Sequence, residues 1–343
     1  MKVKPNIESE KKYTSDYFKE SKFVKGVYKF EYSINRGIKA HVAFNIDSNF
    51  CRQLGVAITS IMENNEDIDV CFYVFIDDIN EYNKNNFDAL AKKYKHNIYI
   101  YIMNEHEFSG FHIRNKRFKY VTYFRLYMNK ILKQFTNKFI YLDADTICLR
   151  SIKPFLEIDL EGKTIAAVHD LPDAVRERST FLGLEYGNYL DSGVMIIDCE
   201  AWEKRHVTER CFAYSGLSPK LFTAHDQDVL NLVLDGDVKF ISKIFNFLGV
   251  YGFIIPNECI IYHFFGRDKP WDLALREIDK KWRQYLSISP WDDINGDLPA
   301  KKSEKYYCYK RAAIYYKNNN ETFKCLSAFF WYSILKIMKY LNL

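Results

Sequence analysis

Phe139-Ile140-Tyr141-Leu142-Asp143-Ala144-Asp145 is a short apolar run, strand-like in length and residue type, that stops at two carboxylates separated by one small residue. In an open α/β sheet, ligands bind outside the carboxyl ends of the strands. The run therefore reads as a buried strand delivering Asp143 and Asp145 to the edge of a site. If the strand continued one residue further, alternation would send the two side chains to opposite faces. A turn at Ala144 would let both converge. Two hard oxygen donors this close suit Mg²⁺ or Mn²⁺ held together with a substrate phosphate. Taken alone, Asp-x-Asp is more often a solvated strand-end turn, because Asp favours turns.

Working outward, the chain alternates strand and helix. Ile38 to Phe44 reads as a strand, closed by the polar cluster Asn45 to Phe50, which caps a helix from about Cys51 to Glu63. Val70 to Ile76 is a second strand, ended by Asp77-Asp78, and a polar helix follows from about Glu81 to Lys93. Ile98 to Met103 is a third strand, and Tyr120 to Leu132 has helical spacing. The pattern predicts βαβ units, an α/β class and a mostly parallel sheet. Beyond the acidic pair, Thr164 to His169 and Gly193 to Asp198 read as strands. The polar stretch between them, Asp170 to Asn188, is long enough for a lid or acceptor loop. Trp202 to Tyr214 and Asp226 to Leu234 read as helices, and Val238 to Ile241 and Cys259 to Phe264 as strands.

Composition fits an ordinary globular chain of 343 residues, 48% hydrophobic and 27% charged. The net charge of +5 is unevenly placed: residues 301–343 hold nine Lys/Arg against two Asp/Glu, leaving the rest slightly acidic. A basic tail on a near-neutral body points to an anionic surface. In Thr322 to Leu343, Phe323, Leu326, Phe330, Ile334, Ile337, Met338 and Leu341 fall near one helical face, flanked by Lys324, Lys336 and Lys339. That pattern suits an interfacial helix on anionic lipid, or equally an amphipathic helix docked on its own domain. Nucleic acid is disfavoured, since the basic residues follow an apolar helix rather than an aromatic-lined groove. The eight cysteines form no CxxC pair and sit in apolar runs, so they read as reduced core thiols. The polar N-terminus carries no signal-peptide pattern and no run of eighteen apolar residues occurs, so a cytoplasmic location is expected.

Four further patches carry chemistry. Asp47, with Asn49 and Phe50, can hydrogen-bond and stack on a base, or simply cap a helix. Asp191-Ser192-Gly193 permits close backbone approach to a ligand. Asp226-Gln227-Asp228 opens a helix, where a carboxylate also suits the dipole. His263-Phe264-Phe265-Gly266-Arg267-Asp268-Lys269-Pro270-Trp271 ends a strand in a nitrogen ligand, then supplies a glycine turn and a lysine for a diphosphate.

Together these motifs, with Arg125, resemble glycosyltransferase family 8, and more narrowly the bacterial enzymes that add glucose or galactose to the lipopolysaccharide outer core. The resemblance implies a GT-A (Rossmann-like) nucleotide-diphospho-sugar transferase fold with a mixed, mostly parallel sheet and a helical basic C-terminal extension. Its domains would be an N-terminal extension (1–36), a catalytic domain (37–271) and a membrane-associating helical region (272–343). It implies retaining transfer from UDP-glucose or UDP-galactose to a hexose of the lipopolysaccharide core, forming an α-1,2 or α-1,3 linkage. It assigns Asp143, Asp145 and His263 to Mn²⁺ or Mg²⁺, and Asp47, Asn49 and Phe50 to the uridine. Gly266 and Lys269 would meet the diphosphate, Arg125 and Asp143 the donor sugar, and Asp191, Asp226 and Gln227 the reacting ring. The implied partners are UDP-sugar, a lipopolysaccharide acceptor and the cytoplasmic face of the inner membrane, with no nucleic acid. Three departures stand out: Ser48 where a second Asp is common, Asp191 where Asn is usual, and Phe264-Phe265 after the metal histidine. Transfer to another polysaccharide or to a protein, and a non-catalytic nucleotide-sugar or glycan-binding module, remain the competing readings.

Overall fold

The computed structural model describes residues 2–111, 113, 119–218, 220–250, 253–266 and 269–342. Arg267 and Asp268 of the stretch that follows His263 lie outside the described residues. The chain divides into two compact units, Met1–His263 and Phe264–Leu343.

The first unit is built on an eight-stranded sheet. Its strands are β1 (Val24–Glu31), β2 (Ile38–Ile46), β3 (Ile68–Ile76), β4 (Asn97–Met103), β5 (Lys138–Leu142), β7 (Ile165–His169), β8 (Leu190–Asp198) and β9 (Val238–Phe240). A smaller sheet joins β6 (Thr146–Cys148) to β10 (Phe247–Leu248) and β11 (Ile261–His263). The spatial order of the large sheet is β1-β4-β3-β2-β5-β8-β7-β9. β2, β3, β4 and β5 run parallel, linked by crossovers such as the helix Cys51–Glu63. β8 runs against both β5 and β7. The central strands β3 and β5 are apolar almost throughout, and β2 is buried from Ala40 onward, because helices and chain cover both faces.

The alternation read from the sequence is present, with local differences. Residues 1–36, expected as an extension, contribute β1, which pairs antiparallel with β4 at the sheet edge. Its Lys25 and Lys29 are the kind of residue that protects an exposed edge, and they mask the strand pattern. Tyr120 to Leu132 is not one helix: residues Tyr120–Leu126 wind as 3-10 turns before a short α-helix Met128–Leu132. Trp202 to Tyr214 splits into Cys199–Lys204 and Val207–Phe212, because His206 adopts φ 51° and breaks the hydrogen-bond ladder. Within Asp170 to Asn188, read as a lid or acceptor loop, an eleven-residue helix Pro172–Leu182 forms, with Pro172 at its first turn. All eight cysteines are buried free thiols.

In the second unit the helices Tyr306–Asn318 and Thr322–Tyr340 pack through small residues, with Cys308, Ala312 and Ala313 on the first and Cys325 and Ala328 on the second. Several large apolar residues of the last helix are exposed, Phe323 at 91% with Leu326, Phe330 and Ile337, while Leu335 is buried. No helix among the described residues is long and apolar enough to cross a membrane.

Candidate active site

β5 stops at Leu142, and Asp143 to Asp145 form a turn rather than further strand. The Thr146 hydroxyl donates to the Asp143 carbonyl at 2.7 Å and closes it. The chain then enters β6, where Thr146 pairs directly with His263 of β11. This pairing brings a histidine 118 residues away in sequence onto the acidic turn. Asp143, Asp145 and His263 each present a ligand atom, and all these atoms lie within 4.8 Å of one another. His263 Nε2 lies 3.1 Å from Asp145 Oδ1. Burial opposes charge on the imidazole, but Asp145, Asp191 and Asp143 outweigh it and push its pKa up to about 9. A cation arriving here must displace that proton, since a ligand imidazole is neutral.

Arg125 joins this cluster to the neighbouring pocket. It is buried, with Nη2 2.9 Å from Asp143 Oδ1 and Nε 3.0 Å from Asp226 Oδ2. Its Nη1 donates to the Ser192 carbonyl at 2.8 Å and to the Ser192 hydroxyl at 3.0 Å. The guanidinium also stacks over the Tyr141 ring, 4.4 Å from its centroid. The Tyr141 hydroxyl lies 2.6 Å from Asp143 Oδ1 and 2.7 Å from Asn45 Oδ1.

Beside it, the register of β8 against β7 jumps from Ala167–Met195 to Val168–Asp191, so Ser192, Gly193 and Val194 bulge out of that pairing. The bulge turns Ser192 toward the helix Asp226–Val233 and leaves Asp191 facing Asn246 and His263. Gln227 accepts the Ser192 N–H at 3.0 Å and donates to Asp170 Oδ2 at 2.8 Å. Asp226 accepts from the Thr122 hydroxyl. Burial raises Asp226, partly offset by Arg125, and burial raises Asp191, partly offset by His263. Burial and the Asp191 charge push Asp170 up to about 6. Asp228 is fully buried and saturated by Arg178 Nε and Nη2, the Tyr189 hydroxyl and the Ala224 N–H.

Gly193 is needed for space. A Cβ built there would sit 2.4 Å from His263 Cε1 and 3.0 Å from Asp143 Oδ2. Gly193→Ala is therefore expected to push the imidazole out of register and weaken Mn²⁺ binding by about tenfold or more. A titration of free Mn²⁺ by electron paramagnetic resonance checks this, and wild-type affinity in the variant would contradict it.

At the end of β2, the neighbour of β5, Asp47 accepts the Asn49 N–H at 2.7 Å, and Phe50 is half-buried on the same turn. Lys119 lies 2.9 Å from Asp77 and 4.0 Å from Asp47. Gly266 and Lys269 belong to the second unit, three and six residues past His263 in sequence. Gly266 takes φ +79°, and Lys269 donates to the Phe264 carbonyl.

The structure thus gathers Arg125, Asp143, Asp145, Asp191, Asp226, Gln227 and His263 into one network. Sequence reading missed two members, Asp170 and Asn246. Asp170 had a signal, a carboxylate directly after an apolar strand, the same one that marked Asp143. Asn246 had none.

A mixed sheet with an acidic turn at a strand end, faced by a histidine and a second carboxylate pocket, defines the GT-A class of nucleotide-sugar transferases. Among solved structures, the galactosyltransferase LgtC in complex with donor and acceptor sugar analogues superposes with a TM-score of 0.64 at 22% identity, covering 77% of this chain and 99% of that one. Residues 41–274 match Glycosyl transferase family 8, and the chain belongs to that family. It is 28% identical to the lipopolysaccharide glucosyltransferase WaaO of Escherichia coli (strain K12), over 94% of this chain and 98% of that protein. It is also 28% identical to the lipopolysaccharide 1,3-galactosyltransferase of Salmonella typhimurium strain LT2, over 74% of this chain and 79% of that protein.

Proposed function

We propose that this protein transfers glucose or galactose, with retention of configuration, from a UDP-sugar to a hexose of the lipopolysaccharide outer core, forming an α-1,2 or α-1,3 linkage. The observation that carries the reading is the single network joining the Asp143–Asp145–His263 cluster, through Arg125, to Asp191, Asp226 and Gln227. The relatives named as lipopolysaccharide glucosyl- and galactosyltransferases support the donor and acceptor classes.

Two carboxylates and an imidazole fit Mn²⁺, which accepts both donor types, and Mg²⁺ less closely. Asp143, Asp145 and His263 would hold it, and the bound ion would supply positive charge to the departing UDP. Asp47, Asn49 and Phe50 would take the uridine, and Gly266 and Lys269 the diphosphate. Arg125 holds Asp143 and Asp226 in place beside an anomeric carbon that gains positive charge. Asp191 favours the same cation, and Gln227 is oriented from both ends of its amide by Ser192 and Asp170.

These carboxylates are all engaged: Asp191 by Asn246 and Gly193, Asp226 by Arg125 and Thr122, Asp228 by Arg178 and Tyr189. That favours attack by the acceptor on the face the diphosphate leaves, over a glycosyl-enzyme. The acceptor oxygen–C1 bond forms, the C1–phosphate oxygen bond breaks, and the acceptor proton passes to the departing phosphate. The deciding assay is UDP release from UDP-glucose and UDP-galactose with Mn²⁺ and truncated lipopolysaccharide. Absence of turnover on any UDP-sugar would sink the enzyme reading.

The outward apolar face of Thr322–Tyr340, edged by Lys324, Lys336 and Lys339, would seat the protein on the anionic cytoplasmic face of the inner membrane. The protein is expected to co-sediment with phosphatidylglycerol vesicles, and the triple variant Phe323→Ser, Phe330→Ser, Ile337→Ser to stay in the supernatant. Equal sedimentation of the two would count against this.

A further inference from the structure

Asn246 is a wholly buried amide between the two halves of the site, 0% exposed. Its backbone is fixed by β10, which begins at the next residue and runs beside β11, pairing Leu248 with His263. Its side chain spans two functional groups. Nδ2 donates to Asp191 Oδ1 at 2.8 Å, and Oδ1 lies 3.3 Å from His263 Nδ1. Asp191 Oδ1 also takes the Gly193 N–H.

The protonation pattern follows from what each group can do. An ionised carboxylate only accepts, so the amide must turn its NH₂ to Asp191 and its oxygen to His263. An amide oxygen only accepts, so His263 must carry its proton on Nδ1. The lone pair of the neutral ring then falls on Nε2, the nitrogen that lies 3.1 Å from Asp145. We propose that Asn246 is a positioning residue that selects the Nδ1–H tautomer of His263, aims Nε2 at a divalent cation, and through the same amide fixes Asp191 in the sugar pocket. The inference rests on the metal reading of Asp143, Asp145 and His263.

The Gly193 N–H fixes which oxygen of Asp191 faces Asn246, so that end of the relay presents an acceptor to the amide NH₂.

The test is Mn²⁺ affinity without nucleotide, read from the free-ion paramagnetic resonance signal. Asn246→Ala is expected to bind Mn²⁺ about 10–100-fold more weakly than wild type, the usual effect of removing a group that orients a ligand histidine. Asn246→Asp keeps an oxygen for the Nδ1–H but sets a second carboxyl group against Asp191, so the two must share a proton, and it is expected to lose less affinity than Asn246→Ala. Wild-type affinity in Asn246→Ala, or equal losses in the two variants, would overturn the proposal. Should Asn246→Ala fail to fold, the imidazole ¹⁵N shifts of His263 in the Mg²⁺-loaded wild type decide: a proton on Nδ1 supports it and a proton on Nε2 overturns it. No Mn²⁺ binding by the wild-type protein would instead remove the metal reading, and this inference with it.

Discussion

Asp145→Ala is expected to lower UDP-sugar turnover about a thousandfold, with Mn²⁺ binding lost and the fold kept. The carboxylate sits on a turn outside the sheet, half-buried, and its close partner is His263 at 3.1 Å. Removing it halves the carboxylate supply of a three-ligand cluster. The leaving diphosphate would then depart with little positive charge to meet it. Asp145→Asn is expected to fall nearly as far, because an amide oxygen offers the geometry without the charge. Turnover within tenfold of wild type at saturating Mn²⁺ would mean that the acidic turn is not where the leaving group is stabilised.

Arg125→Met should show the largest loss of stability, about 3–5 kcal/mol by urea unfolding. The guanidinium is buried and pairs with Asp143 and Asp226 while bonding Ser192 twice. Met replaces the volume but leaves buried carboxylates without their cation. Asp226 is raised by burial even with Arg125 present. A carboxylate whose folded pKa is raised contributes most below its unfolded value and loses that contribution as pH rises through the folded one. The deficit of Arg125→Met should therefore be larger at pH 8 than at pH 5. Adding Asp226→Asn to Arg125→Met should recover part of the loss, a coupling of about 1–3 kcal/mol. A single variant within 1 kcal/mol of wild type, or a strictly additive pair, would show that this ion pair is not what holds the two halves of the site together.

Much of this architecture was legible because its central strands are continuous apolar runs ended by carboxylates. β3 and β5 announce themselves this way, and the helix Cys51–Glu63 by its own apolar face. Strand direction was not legible, since alternation and hydrophobicity are the same read either way. The reversal of β8 therefore had to come from the structure, and it is what carries Asp191 and Ser192 to the edge where Asp143 lies. β1 was hidden by the lysines of an edge strand, and the break at His206 by a backbone angle that composition does not encode. The acidic turn was readable as one of two outcomes, and the early end of β5 at Leu142 chose between them. Asn246 is a polar residue in a short irregular segment, and only the fold reveals the two partners it bridges.

The pairing of β6 with β11 has a consequence for synthesis. Thr146 meets its partner only when His263, the last residue of the first unit, has been made. A ribosome that has finished β5 and its acidic turn still has well over a third of that unit to produce. During this interval Asp143 and Asp145 stand without their imidazole, and pairings of such long sequence separation form slowly. Chains cut short of residue 261 would carry the signature turn without the histidine that completes its ligand set. The cell thus gains a catalyst at one late moment of translation rather than by degrees.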